Sequence, residues 1–236
     1  MIRLKNIKHS YDTKLVLEDL NLDIESQKIT CILGSSGSGK TSILRLIAGL
    51  EKPNSGEISI DGQLLSNDNK ILVLPKQRGL GFIFQDLALW PHFTVYKNIA
   101  FALTEQKEKH VKDKVLEMLK TFNLEEYSNK FPHQLSGGEK QLLAIARALV
   151  LKPKILLMDE PLSNLDVKLK RKMLGIIKDL KQNFDLSIVY VSHDHKEAFA
   201  IADQIVVLEK GKIEAEGTPE EIKNSNNIFV KYFLEY

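Results

Sequence analysis

Residues 34–41 read Gly-Ser-Ser-Gly-Ser-Gly-Lys-Thr, and their flanks constrain the fold more than any other part of the chain. Before them, Ile29-Thr30-Cys31-Ile32-Leu33 is apolar or β-branched, as a buried strand requires. After them, Ile43, Leu46, Ile47 and Leu50 recur at i, i+3, i+4 and i+7, one face of a helix. A glycine-rich loop between a buried strand and a helix N-terminus is a phosphate cradle. Gly34, Gly37 and Gly39 let the backbone curl toward an anion, and free N–H groups and the helix dipole face it. Ser35, Ser36 and Ser38 complete the loop, Lys40 offers a point charge to the outer phosphates, and the Thr41 hydroxyl suits Mg²⁺. A flexible Gly/Ser linker would not sit between such flanks.

The remaining pattern predicts an α/β protein. Strand-like stretches cover 2–7 and 20–24 with a turn between them, 56–62 alternates as a half-exposed strand, and 80–84 is an apolar strand ending at Gln85. From about 95 to 150 the pattern is helical and more charged. Val111, Val115, Met118, Leu119 and Phe122 form one stripe there, and Leu142, Ile145, Ala146 and Leu149 form a second over 139–151. Beyond Pro153 strands and helices alternate again: a strand at 155–158, a helix through Leu169, Met173, Ile176, Ile177 and Leu180, a strand at 187–191, and a hairpin turning at Lys210-Gly211. Thr218-Pro219-Glu220-Glu221 has the form of a capping box. The expected architecture is a nucleotide-binding core over 1–86 and 154–236, with an antiparallel β subdomain and an inserted α-helical subdomain over 87–153.

Charge excludes little but directs the search. With 33 basic and 31 acidic side chains spread along 236 residues, nothing builds a nucleic-acid face. The single cysteine, Cys31, falls in the strand before the phosphate loop and reads as a small buried side chain. The N-terminus lacks an apolar signal core, and no run approaches the ~20 apolar residues that cross a bilayer. The expectation is a soluble, cytoplasmic chain that reaches any membrane through a partner.

Two further elements narrow the chemistry. Leu135-Ser136-Gly137-Gly138-Glu139 is a second glycine-rich turn opening a helix, and Ile155-Leu156-Leu157-Met158 is an apolar strand running into Asp159-Glu160. With these in order along the chain, the sequence resembles the ATP-binding subunits of ATP-binding-cassette (ABC) transporters, from Met1 to about residue 222. The stretch from Gln85 to Val95 and the run Glu160-Pro161-Leu162-Ser163-Asn164-Leu165-Asp166 resemble importers of sugars, polyamines, ferric iron or oxyanions.

The resemblance implies a set of roles. ATP and Mg²⁺ are the expected ligands, with Asp159, Thr41 and Gln85 toward the metal. Glu160 is the catalytic base, His193 the switch that touches the γ-phosphate, and Tyr11 the ring stacked on adenine. Ser136, Gly137, Gly138 and Glu139 cap the ATP of a second subunit, and Asp166 lies in the loop that communicates between the two sites. Glu139 and Leu142 depart from the family, which often has glutamine and a cation there. Leu87, Leu89 and Trp90 read either as packing within the helical lobe or as a groove for a helix of a membrane subunit. His195 reads as bland. The implied partners are a second copy of the ATPase, integral membrane permease subunits and a solute-binding protein, with the chain peripheral on the cytoplasmic side of the inner membrane. Many of those importers carry a C-terminal regulatory domain, and the expectation here is a cassette without one. Import is preferred. An exporter subunit and a soluble ABC-type ATPase acting on nucleic acid or ribosomes are the alternatives.

Overall fold

A computed structural model describes residues 1–235. Two sheets organise the chain. The first is built by β1 (Ile2–Tyr11), β2 (Lys14–Ile24), β4 (Ser55–Ile60), β5 (Gln63–Asn67) and β6 (Lys70–Ile71), paired antiparallel in the order β2-β1-β4-β5-β6. The second runs β11 (Lys212–Gly217), β10 (Gln204–Glu209), β3 (Ile29–Gly34), β9 (Ser187–Ser192), β8 (Ile155–Asp159), β7 (Leu80–Ile83), all parallel except β11. Helices are α1 (Lys40–Ala48), α2 (Val95–Glu105), α3 (Val111–Thr121), α4 (Gly137–Leu149), α5 (Val167–Asn183), α6 (His195–Ile201), α7 (Pro219–Lys223) and α8 (Ile228–Glu235).

The central strands carry near-continuous apolar runs because the parallel sheet is covered on both faces. Alternation survives within them. Ile32, Val189, Val191, Val206 and Leu208 join the core shared with α1 and the antiparallel sheet, whereas Cys31, Leu33, Ile188, Tyr190, Ile205 and Val207 join the core shared with the helices. The stripes of α3 and α4 bury Val115, Met118, Leu119, Leu143, Ile145, Ala146 and Leu149 into that second core. Full burial of each of the larger side chains is worth about 1.5–3 kcal/mol, so packing rather than propensity holds the helical lobe.

Several boundaries differ from the sequence reading. β1 and β2 are longer than 2–7 and 20–24 and form one hairpin. Register shifts at Leu4/Ile7 and Ile7/His9, with Asn6 and Asp19 in left-handed backbone, break the two-residue period that would have shown the strands' full length. Leu50 does not belong to the face of α1. The helix stops at Gly49, whose φ of 74° and N–H bonds to the Arg45 and Leu46 carbonyls form a left-handed C-cap, and Leu50 is 47% exposed. β5 and β6 were not anticipated. The capping box at Thr218 is present, its hydroxyl accepting from the Glu221 N–H.

The topology sets up a site. Parallel strands put their C-terminal ends at one edge, so the phosphate loop after β3, Gln85 after β7, Asp159-Glu160 at the end of β8 and His193 after β9 converge there.

Candidate nucleotide site

At that edge lies a cleft of about 680 Å³ lined by Tyr11, Ser36, Gly37, Gly39, Lys40, Thr41, Gln85, Glu160 and His193, together with Lys14, Leu15, Val16, Ser42 and Lys210. A cleft of about 750 Å³ also sits against α8, lined by Glu214, Asn226, Asn227, Ile228, Phe229 and Tyr232. It has no basic side chain in its wall, so only the first is suited to phosphate.

The loop is preorganised. Gly39 is the residue before α1 and has φ 109°; a Cβ there would lie 2.7 Å from Leu17 Cδ2. Only glycine fits that approach. Lys40 is 4% exposed and folds back, its Nζ donating to the Gly34 and Ser35 carbonyls at 2.8 Å each. Burial holds the ammonium below the ordinary lysine value, against the raising effect of Glu160, Asp159 and Glu209. It is a cation that gains from an arriving anion. Ser35 Oγ donates to Glu209 Oε2 at 2.6 Å, which anchors the loop to β10.

Thr41 Oγ1 donates to Asp159 Oδ1 at 2.9 Å across 118 residues of sequence. Burial raises the Asp159 carboxyl above its usual value, the Thr41 bond opposes that, and neighbouring Glu160 adds to it. Hydroxyl, carboxylate and the Gln85 amide are all oxygen donors, the set a Mg²⁺ ion prefers. Next to them, Glu160 Oε2 lies 2.9 Å from His193 Nδ1. Glu160 has φ 42°, left-handed backbone that a glutamate adopts only under constraint; its N–H donates to the Val191 carbonyl at 3.0 Å. Its carboxylate lines the cleft from the end of β8.

The second glycine turn is elsewhere. None of Leu135–Glu139 lines the cleft among the described residues. Ser136 and Gly137 are exposed at the N-terminus of α4. Glu139, expected to face phosphate, is engaged in a capping box: its carboxylate accepts the Ser136 N–H at 2.7 Å while Ser136 Oγ accepts the Glu139 N–H at 3.4 Å. That backbone bond is the main cause holding the Glu139 carboxyl below the ordinary glutamate value. A depressed folded-state value means the cap stabilises above the ordinary value and is lost as pH falls through the depressed one. Glu139→Gln should therefore flatten the acid limb of the thermal stability profile below about pH 4.5. Ser136→Ala should lower stability by about 1 kcal/mol in urea titrations, the usual worth of such a cap. Asp166 likewise caps α5, accepting the Leu169 N–H at 3.0 Å.

Leu87 and Ala88 are both in left-handed backbone, and Arg147 of α4 donates to their carbonyls at 2.7 and 2.5 Å. The Arg147 guanidinium lies 5.0 Å from the Trp90 ring, which also meets Phe93 and Phe101. Leu87, Leu89 and Trp90 are half-buried, so they pack within the helical lobe yet keep an outer face. Sequence reasoning missed Lys14, Ser42, Lys210 and Glu209; only the hairpin turn at Lys210-Gly211 carried any signal, since nothing local says that it folds over the phosphate loop. Cys31 is buried and its thiol pushed well up by burial, which fits a packing role.

Comparison with known proteins agrees with this geometry. The family model described as ABC transporter matches residues 17–163. The spermidine/putrescine import ATP-binding protein PotA of Pasteurella multocida is 44% identical over 99% of this chain and 63% of its own length. The Fe(3+) ions import ATP-binding protein FbpC of Vibrio cholerae is 44% identical over 98% of this chain and 65% of its own. The chain thus spans just under two thirds of the length of these relatives. A dimeric ATP-binding cassette, MJ0796, bound to ADP and Pi in a post-hydrolysis state, superposes with a TM-score of 0.82 at 35% identity, covering 93% of this chain and 99% of that one. With its phosphate loop, paired carboxylates and displaced glycine turn in one fold, the chain belongs to the ABC transporter family of ATP-binding cassettes.

Proposed function

We propose that the chain binds and hydrolyses ATP as a head-to-tail pair, and that the pair powers solute import through membrane permease subunits. The observation that carries this reading is the separation within one protomer. The cleft gathers Lys40, Thr41, Gln85, Glu160, His193 and Tyr11, with Asp159 bonded to Thr41, while Ser136 and Gly137 stand exposed outside it. An exposed helix N-terminus with glycine N–H groups is an anion site without an anion of its own, and a second copy supplies one. The dimeric, product-bound cassette MJ0796 supports the same assembly.

In the mechanism, the loop N–H groups and Lys40 hold the outer phosphates, and Tyr11 stacks on adenine. Glu160, steadied by His193, takes a proton from the water that attacks the γ-phosphorus. Thr41, Asp159 and Gln85 would hold Mg²⁺, which supplies neutralisation of the β- and γ-phosphate charge. The partner's copy of Ser136–Glu139 closes over the γ-phosphate, so binding pulls the pair together and separation of ADP from phosphate loosens it.

Residues 1–86 with 154–236 act as the ATP core, and 87–153 act as a helical unit that carries both the Ser136 turn and the Trp90 surface. That surface receives the membrane subunit, on the cytoplasmic side. No helix among the described residues is long and apolar enough to cross a membrane. The relatives' names span polyamine and ferric iron import at the same 44% identity, so the cassette leaves cargo to the permease and a solute-binding protein. The test is purification of the tagged chain from detergent-solubilised membranes of its own cells. An integral membrane subunit in stoichiometric amount supports the reading; recovery with ribosomes or nucleic acid alone contradicts it.

A further inference from the structure

Tyr11 is the last residue of β1, next to a turn through Asp12 (φ 51°), and is 42% exposed. A ring in such a place would ordinarily rotate freely. Here its hydroxyl lies 2.8 and 2.7 Å from the two carboxylate oxygens of Glu51 and 3.1 Å from Ser42 Oγ. The phenol donates to Glu51, so Ser42 donates to the phenol oxygen. Burial, with Glu51 adding to it, raises the Tyr11 pKa, which keeps the phenol protonated and able to donate.

Glu51 is itself fixed. It follows the Gly49 cap of α1, its side chain is mostly buried, and it accepts Arg45 Nη1 at 3.2 Å. His9 is buried on the other side; its Nε2 lies 3.1 Å from Glu51 Oε2 but off the hydrogen-bonding direction. The His9 ring meets the Tyr11 ring edge-on, 5.0 Å between centroids at 82°. Ser42 and Arg45 both belong to α1, the helix whose first residues are Lys40 and Thr41. One carboxylate therefore joins the base side of the cleft to the helix that serves its phosphate side.

We propose that Glu51 is a positioning residue of the adenine subsite: it locks the Tyr11 ring in place on α1, ready for the base. This rests on reading the cleft as an ATP site with Tyr11 against adenine. A side chain ordered before the ligand arrives does not have to be ordered by it, and that saving appears as affinity. The competing account is a fold-stabilising surface bond between hairpin and helix. The two differ in whether the effect depends on the base.

Calorimetric titration of the full chain with Mg-ATP and with inorganic tripolyphosphate separates them. Glu51→Leu is expected to weaken ATP binding by roughly 3- to 10-fold and leave tripolyphosphate binding unchanged. Glu51→Gln, which keeps an acceptor for the phenol, is expected to recover most of the loss; if the leucine variant folds poorly, Tyr11→Phe alone takes its place, with the same loss for ATP and none for tripolyphosphate. Tyr11→Phe keeps the ring but not the hydroxyl; combined with Glu51→Leu it should weaken ATP no further, the non-additivity of a shared contact. Equal losses for ATP and tripolyphosphate, unchanged ATP affinity, or additive losses each overturn the proposal. If the wild-type chain binds ATP no better than tripolyphosphate, or binds neither, the nucleotide reading itself fails before Glu51 is tested.

Discussion

Glu160→Gln is expected to slow ATP turnover by about 10²–10⁴-fold, the usual share of a general base, while ATP still binds and the protein accumulates as a closed dimer. The prediction follows from where Glu160 stands. In the proposed mechanism it is not among the groups that hold the phosphates, which are the loop N–H groups and Lys40. Its carboxylate faces the cleft, bonded to His193 at 2.9 Å. Glutamine keeps the size and an acceptor for His193 but cannot take a proton. Binding therefore proceeds and the step that loosens the pair does not. Gel filtration with and without ATP reads the outcome. A variant that remains monomeric while demonstrably ATP-bound contradicts the paired mechanism, and one that turns over at the wild-type rate removes Glu160 from its role.

The second large effect is on stability. Arg78 is 8% exposed and makes five hydrogen bonds: Nε to the Val73 carbonyl at 2.9 Å, Nη1 to Leu46 and Ile47 carbonyls at 3.1 and 2.6 Å, and Nη2 to the Leu65 carbonyl and Ser66 Oγ at 3.2 and 2.7 Å. Leu46 and Ile47 are in the last turn of α1, where carbonyls run out of intrahelical partners; the Leu46 carbonyl also takes the Gly49 N–H. Arg78 thus ties the C-terminus of the phosphate-loop helix to β5, with charge near the negative end of the helix dipole. No carboxylate pairs with it among the described residues, and burial pulls its pKa to about 10. Each buried acceptor left without a donor costs about 1–3 kcal/mol, so Arg78→Ala should lose about 3 kcal/mol or more in urea unfolding of the ligand-free protein. Arg78→Lys should restore little, because a single ammonium cannot span acceptors set for a planar fork. A loss below about 0.5 kcal/mol, typical of a neutral surface change, would contradict the clamp.

These two residues show where the sequence was readable. The phosphate loop and its flanks were legible because strand, loop and helix are contiguous, so composition and periodicity act on the same short window. Glu160 was legible as a carboxylate ending an apolar strand, but its left-handed backbone was not, since that is imposed by the Val191 carbonyl on the neighbouring strand. Arg78 left no trace, because its partners other than Val73 come from segments distant in sequence and none is charged. Glu51 was silent for a similar reason: His9 and Tyr11 reach it only after β1 packs beside α1. The helical lobe was legible from its stripes. The full hairpin of β1 and β2 was hidden by the bulges near Asn6 and Asp19, which interrupt the alternation that announces a strand. Glu139, read as an acid near phosphate, turned out to be engaged by the Ser136 backbone, a local pairing that Ser-x-x-Glu in the sequence does announce.

ATP turnover per molecule, measured while the protein is diluted across its monomer–dimer transition, tests the central claim most directly. If each site needs residues from two chains, specific activity rises with concentration at the dilute end and levels off once sedimentation shows the ATP-bound protein paired. Specific activity that stays constant down to concentrations where only monomer sediments would show that one cleft suffices, and the account built on Ser136–Glu139 serving a neighbour's ATP would be wrong.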